Sequence, residues 1–220
     1  MTLDFSVVAN AWQALLYGVM GTMLLAVFGM ALAMIIGVLG VAILRAQMRV
    51  PSFLVTAFVE IIRNTPFLVQ IYFIFFALPL AGIRLNPTIT AILALGLNGG
   101  AYAIEIIRGG VESISKGQTE AGLALGLHRG EVFRLIVLKP ALKAIYPSLS
   151  SQFILLTLTT AICTSISAYE LTSVGQRIEA ETFRSFEVYF TLTMIYLVIS
   201  LITMWALAAI GKRAFNYPDR

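Results

Sequence analysis

The chain reads as an all-α polytopic membrane protein with about five transmembrane helices, oriented N-out and C-in. Three observations carry this reading. Apolar residues make up 59% of the 220 residues and charged ones 12%, with a mean hydropathy of +0.91. Soluble domains keep apolar and charged fractions nearer one half and one quarter. The apolar residues fall into runs of membrane-spanning length, since about 20 helical residues cross a hydrocarbon core about 30 Å thick. The basic residues between those runs cluster on alternate turns of the chain.

The first run spans roughly Trp12 to Leu44. It is long for one crossing, so it is expected to tilt or to project beyond the lipid. Gly18, Gly21, Gly29, Gly37 and Gly40 are spread through it. In lipid, such small residues let helices approach closely. A secretory leader needs a basic start, a short apolar core and a cleavage site. The start MTLDFSVVAN has Asp4 and no Lys or Arg, and the apolar run continues well past a leader core, so a retained span is expected. No lipidation motif is visible.

An elbow with Arg45, Arg49 and Pro51 follows, then a second span from roughly Phe53 to Leu80. A third run, roughly Thr88 to Ile107, leads into the polar segment Arg108 to Tyr146. Span four is expected over Pro147 to Ala168, a polar loop over Glu170 to Glu187, and span five over Val188 to Ile210. Five spans put the termini on opposite sides. One side then holds Arg45, Arg49, Arg108, Lys116, Arg129, Arg134, Lys139, Lys143, Lys212, Arg213 and Arg220, with Arg63 close by. The other holds Arg84, Arg177 and Arg184. Cytoplasmic loops carry the excess of Lys and Arg, so the N-terminus is expected outside and the polar segment inside. The net charge of +4 is then anchoring charge rather than a nucleic-acid footprint. No internal repeat divides the chain. It reads as a single transmembrane domain over residues 1–220, with residues 108–146 as a cytoplasmic segment within it.

Several chemistries lack their residues. No G-x-x-x-x-G-K-[ST] phosphate loop is present. His128 stands alone, so no metal cluster is expected, and it reads as a solvated or partner-facing side chain. No nucleophilic triad is placed, and Cys163 reads as a small buried thiol. A proton-coupled carrier would need an ionisable group near mid-membrane, and none stands out. Glu60 with Arg63 and Glu105 with Arg108 form two identical EIIR stretches. Positions three apart share a helix face, so each pair reads as self-paired interfacial charge, or as a gate or bridge to the cytoplasmic segment. Polar side chains inside the spans are Gln70, Asn98, Tyr102, Thr160, Thr164 and Ser165. They read as helix-to-helix ties or as the lining of a solute path.

Within the polar segment, EAGLALGL (Glu120 to Leu127) is expected to form a short helix. Gly126 or Gly130 permits a left-handed turn that ends it. A second helix, EVFRLIVLK, is expected to stop at Pro140. A short helix lying along the membrane could fill a groove on a soluble partner or serve as a plain connector.

These residues resemble a signature of permease subunits of ABC importers: E-A-A, three residues, G, nine residues, then I-x-L-P. Glu120, Ala121, Gly122, Gly126, Ile136 and Leu138 fit that spacing. Gly122 replaces the second Ala, Lys139 takes the Pro position, and Pro140 follows one place later. RNTPFLVQIYFIFFALP, NGGAYAIEIIRGGVESISKGQTEAG and AYELTSVGQRI resemble the polar amino acid permeases of the histidine and glutamine type, over roughly Val59 to Phe215. The K-[DN]-T-S-L pattern common before AYEL in that family is replaced by LTTAI, which keeps Thr160.

The resemblance implies a transport subunit, not an enzyme, in the bacterial inner membrane. It implies a dimer with itself or with a similar permease, and a periplasmic binding protein that delivers an amino acid. It also implies a separate ATPase that binds ATP and Mg, receiving the loop helix in a cleft through Glu120, Ala121, Gly122 and Gly126. The other readings are a stand-alone channel or secondary carrier, and a membrane scaffold that docks a soluble partner.

Overall fold

The computed structural model describes residues 3–215. Arg220, counted above among the cytoplasmic cations, lies outside them. The described residues are helical, with no strand among them. A short α1 (Ser6–Asn10), which the apolar pattern does not announce, precedes α2 (Trp12–Arg45). At about 1.5 Å per residue the 34-residue α2 is about 51 Å long, more than a bilayer core is thick.

The second span is not one helix. It is two, α3 (Arg49–Arg63) and α4 (Phe67–Leu80), meeting at 114°. Pro66 carries no N–H and disfavours helical backbone at Thr65, which breaks the run between Asn64 and Phe67. α3 has one apolar and one polar face, whereas α4 is apolar all round. The continuous span expected over Phe53 to Leu80 is therefore corrected to a bent pair. Among the described residues, four single helices are long and apolar enough to cross a membrane, or five segments if the bent pair is one of them.

Helix α5 (Pro87–Glu112) starts where Asn86 accepts a hydrogen bond from the Ile89 N–H at 2.8 Å and Pro87 occupies the first turn. It continues past Ile107, so Arg108 is helical rather than the start of a loop. The polar segment then forms α6 (Lys116–Ala124) and α7 (Arg129–Val132). The expected stop at Pro140 does not occur. The chain passes through a π-helical turn, Phe133–Val137, directly into α8 (Leu138–Thr159). Pro140 cannot donate to the Ile136 carbonyl, and its ring crowds that group. The wider turn, in which the Leu138 N–H bonds the Phe133 carbonyl, comes just before it. Pro147, expected to open span four, lies inside α8.

Span four ends in a 3-10 turn, Thr160–Ile166, closed by Ser167 at φ +61°. The stretch expected as a loop from Glu170 to Glu187 contains α9 (Leu171–Thr182), and α10 (Ser185–Ala214) completes the chain.

The core is a seam between α2 and α5 built from small residues. Leu32 lies over Gly96, Ile36 over Gly100, and Ala103 and Ile104 against Gly37 and Gly40. Apolar side chains gain little by leaving lipid for one another, so close backbone approach and dispersion hold such helices together. Leu25, Ile71, Leu95, Leu156 and the buried Cys163 continue the seam toward α4 and α8. α10 lies at the rim, tied to α8 by the Tyr146 hydroxyl, which donates to the Leu207 carbonyl at 2.6 Å.

Candidate functional site: coupling helix and membrane path

Helix α6 begins at Lys116, four residues before Glu120, so Glu120 sits one turn inside it rather than at its N-terminus. Glu120 therefore does not cap this helix, and the short helix expected over Glu120 to Leu127 starts and ends earlier, at Lys116 and Ala124. Its C-terminus is a Schellman motif. Gly126 adopts φ +86°, its N–H bonds the Leu123 carbonyl at 3.0 Å, and the Leu127 N–H bonds the Gly122 carbonyl at 3.2 Å. A Cβ at Gly126 would meet nothing within 4 Å, so this position is set by backbone conformation alone.

Gly122 is the opposite case. It is buried, and a Cβ there would lie 2.5 Å from Ile136 Cδ1 and 3.0 Å from Val132 Cγ2. The glycine that departs from the E-A-A pattern thus lets α6 rest directly on the π turn, against the apolar residue of the same signature. With Gly122 turned inward, Glu120, Ala121 and Leu123 are exposed, and Leu125 is 82% exposed. Exposed leucines at and just beyond the end of a polar helix offer a surface for a partner. His128 is exposed, and its backbone N–H donates to the Glu131 carboxylate at 2.8 Å.

The two EIIR stretches behave differently. Glu105 pairs with Arg108 at 3.0 Å along its own helix, and Arg108 lies 3.6 Å from Glu112. Arg63 does not pair with Glu60. It reaches across to Glu105 at 3.1 Å and lies 5.7 Å over the Tyr102 ring, while Glu60 accepts from the Asn64 amide at 3.1 Å. The bend after Arg63 turns that side chain toward α5. Glu105 is thus shared by two arginines and ties α3 to α5, an exposed contact worth about 0–1 kcal/mol per pair.

The polar side chains of the spans separate by what they bond. The Gln70 amide donates to the Ile62 carbonyl at 2.8 Å and to Thr65 Oγ1 at 2.8 Å, and Asn98 Nδ2 donates to Gln70 Oε1 at 2.9 Å. This chain satisfies carbonyls freed by the break at Pro66 and fastens the bend to α5. The buried Thr160 hydroxyl returns to the Thr157 carbonyl at 2.6 Å. Thr164 faces Gln176 of α9 at 3.1 Å, and the buried Ser165 hydroxyl has no protein partner.

Sequence reasoning passed over Glu170. It is fully buried and caps α9, accepting from the Thr172 N–H at 2.8 Å, the Ser173 N–H at 2.6 Å and the Tyr196 hydroxyl at 2.9 Å. Burial raises its carboxyl above the usual carboxylate range, and these hydrogen bonds oppose that rise. The Leu171 N–H donates to Thr22 at 3.1 Å, and Gly18 and Gly21 leave no room for a Cβ against this turn. The signal was present in AYELTS, because an acidic residue followed three places later by Ser is a capping box with its partners exchanged.

These features describe a multi-pass helical membrane protein that carries a short helix with exposed leucines at its end. The chain matches the family described as "Binding-protein-dependent transport system inner membrane component" over residues 29–216. It is similar to the glutamine transport system permease protein GlnP of Escherichia coli (strain K12), at 37% identity across 97% of this chain and 98% of that one. The L-cystine transport system permease protein TcyB of Bacillus subtilis (strain 168) is 32% identical, covering 94% and 88%. Among solved structures, an amino acid ABC transporter with histidines superposes with a TM-score of 0.91 at 28% identity, covering 97% of this chain and 100% of that chain. The MetNI methionine ABC transporter, at 20% identity and a TM-score of 0.74, covering 93% and 98%, shares the fold. The chain therefore belongs to the inner-membrane permease components of binding-protein-dependent transport systems. It is a permease subunit of an ABC importer, which sets aside the stand-alone carrier and the scaffold.

Proposed function

We propose that this permease moves a polar amino acid inward, with the solute handed over by a periplasmic binding protein. A second permease, identical or similar, completes the pathway. A separate ATPase that binds ATP and Mg drives it and hydrolyses ATP. The chain works as one unit over residues 1–220, N-out and C-in, with residues 108–146 as the coupling segment. The single observation that carries this reading is α6, seated on the π turn through Gly122, ended by Gly126, and exposing Glu120, Ala121 and Leu125. The named substrates of the relatives, glutamine and L-cystine, support the solute class.

ATP binding draws two ATPase subunits together, and α6 seated in them carries that motion into α5 and α8. Only contacts that differ between two states shift their equilibrium, so a rigid seat is required. Of the path candidates, Gln70 and Asn98 spend donors on the bend, Thr160 on its own turn and Thr164 on Gln176, whereas the Ser165 hydroxyl keeps polar capacity for a solute. The decisive experiment is reconstitution of the permease with its ATPase in liposomes. Hydrolysis stimulated by binding protein loaded with one amino acid is the expected result. Failure of every amino acid to stimulate an otherwise active complex would overturn the solute assignment.

A further inference from the structure

We propose that the crevice between α2, α5 and the start of α8 is a binding site for one anionic glycerophospholipid of the inner leaflet. The crevice encloses about 350 Å³ and is walled by Val38, Val41, Ala42, Ile107, Leu138 and Leu142. Its sole ionisable lining residue is Arg45, at the end of α2, whose guanidinium lies 5.4 Å from the centroid of the Phe133 ring. A second cavity of about 430 Å³ has Val41, Arg45 and Val111 in its lining as well, so Arg45 borders both. That second cavity is lined by Arg108, Lys116 and Glu112.

Arg45 thus stands between an apolar crevice and a cavity bordered by two further cations. Arg108 is already held by Glu105 and Glu112, but neither Arg45 nor Lys116 meets a carboxylate among the described residues. Both residues are exposed, so an anion at this edge of the bundle can reach them. A soluble anion would leave the apolar walls wet. A lipid with a phosphate headgroup and acyl chains answers both, and basic pockets between helices at the cytoplasmic face take such headgroups. The inference goes beyond the transport reading and rests on the C-in orientation, which puts Arg45 at the inner leaflet.

The test is native mass spectrometry of the intact permease–ATPase complex. It is titrated with phosphatidylglycerol and with phosphatidylcholine of identical acyl chains. Phosphatidylglycerol is expected to bind more tightly, and Arg45→Gln and Lys116→Gln are each expected to weaken it about fivefold. Arg45→Lys, which keeps the charge, should retain the preference and controls for misfolding. Ala42→Phe, which fills the crevice, should weaken both lipids. Equal affinity for the two lipids overturns the proposal. So does a photo-crosslinker at position 42 that attaches to the ATPase or to the second permease instead of to lipid. A complex that selects phosphatidylglycerol but moves no amino acid sinks the transport reading and leaves this one standing.

Discussion

Gly122 and Gly126 lie four residues apart and act through different physics. A side chain at Gly122 collides with Ile136 and Val132, so Gly122→Val should lift α6 from its seat and abolish ATPase co-purification. Pairing it with Ile136→Ala should restore part of that association, because the collision is local. Gly126→Ala meets no neighbour and should cost only the left-handed strain of about 1–2 kcal/mol, read as a modest fall in thermal stability. Glu120→Ala removes neither packing nor a cap. It should lower uptake at equal membrane expression while leaving the binding protein's affinity for solute unchanged, and normal uptake would count against a coupling role.

Glu170 makes a different demand, since its carboxyl is held in a buried turn. With its carboxyl raised above the ordinary range, the folded protein binds this proton more tightly than the unfolded chain does. Its contribution is then fullest below the unfolded carboxylate value and declines as pH rises toward the raised one. Stability of the parent should fall across that window, and Glu170→Gln should flatten this part of the profile.

The bent pair is the least obvious element. At about 1.5 Å per residue, the 14-residue α4 is about 21 Å long, too short to cross a bilayer core alone. The exposed backbone at the break survives because Gln70 satisfies it and Asn98 anchors Gln70. A double-mutant cycle with Gln70→Leu and Asn98→Leu should therefore be non-additive, with a coupling of about 0.6–1.7 kcal/mol, the range seen for hydrogen bonds inside membrane bundles. Additivity in measured stability would show the two side chains to be independent. The same bend explains why one EIIR stretch closes on itself and the other does not. Three residues of separation put Glu105 and Arg108 on one face, but the charge offered from α5 outcompeted Glu60 for Arg63.

For the molecule as a whole, the proposed N-out and C-in orientation predicts which surfaces water-borne reagents reach. With Cys163 replaced by Ala, a cysteine at Leu125 should react with a membrane-impermeant maleimide only in inverted vesicles. One at Leu3 should react only in intact cells whose outer membrane has been permeabilised. The reverse pattern would invert the topology and remove α6 from any cytoplasmic ATPase. The bundle also keeps most of the α10 surface apolar and outward-facing, as a helix that borders lipid or a second subunit must.

The sequence by itself determined the membrane class, the approximate number of spans and the presence of a short helix in the polar segment. Those follow from composition, from apolar run length and from a motif whose residues lie within one stretch of chain. Pro66 reads as part of one span, and the 114° turn there was not legible, because the angle depends on what α4 packs against. Pro140 and Pro147 read as boundaries and were absorbed, because neighbouring turns could widen or donate elsewhere. Which carboxylate Arg63 chooses, and which glycine must stay bare for packing rather than for turning, are contacts between segments distant in the chain. Only the assembled bundle brings those groups within bonding range, and so only the tertiary structure decided them.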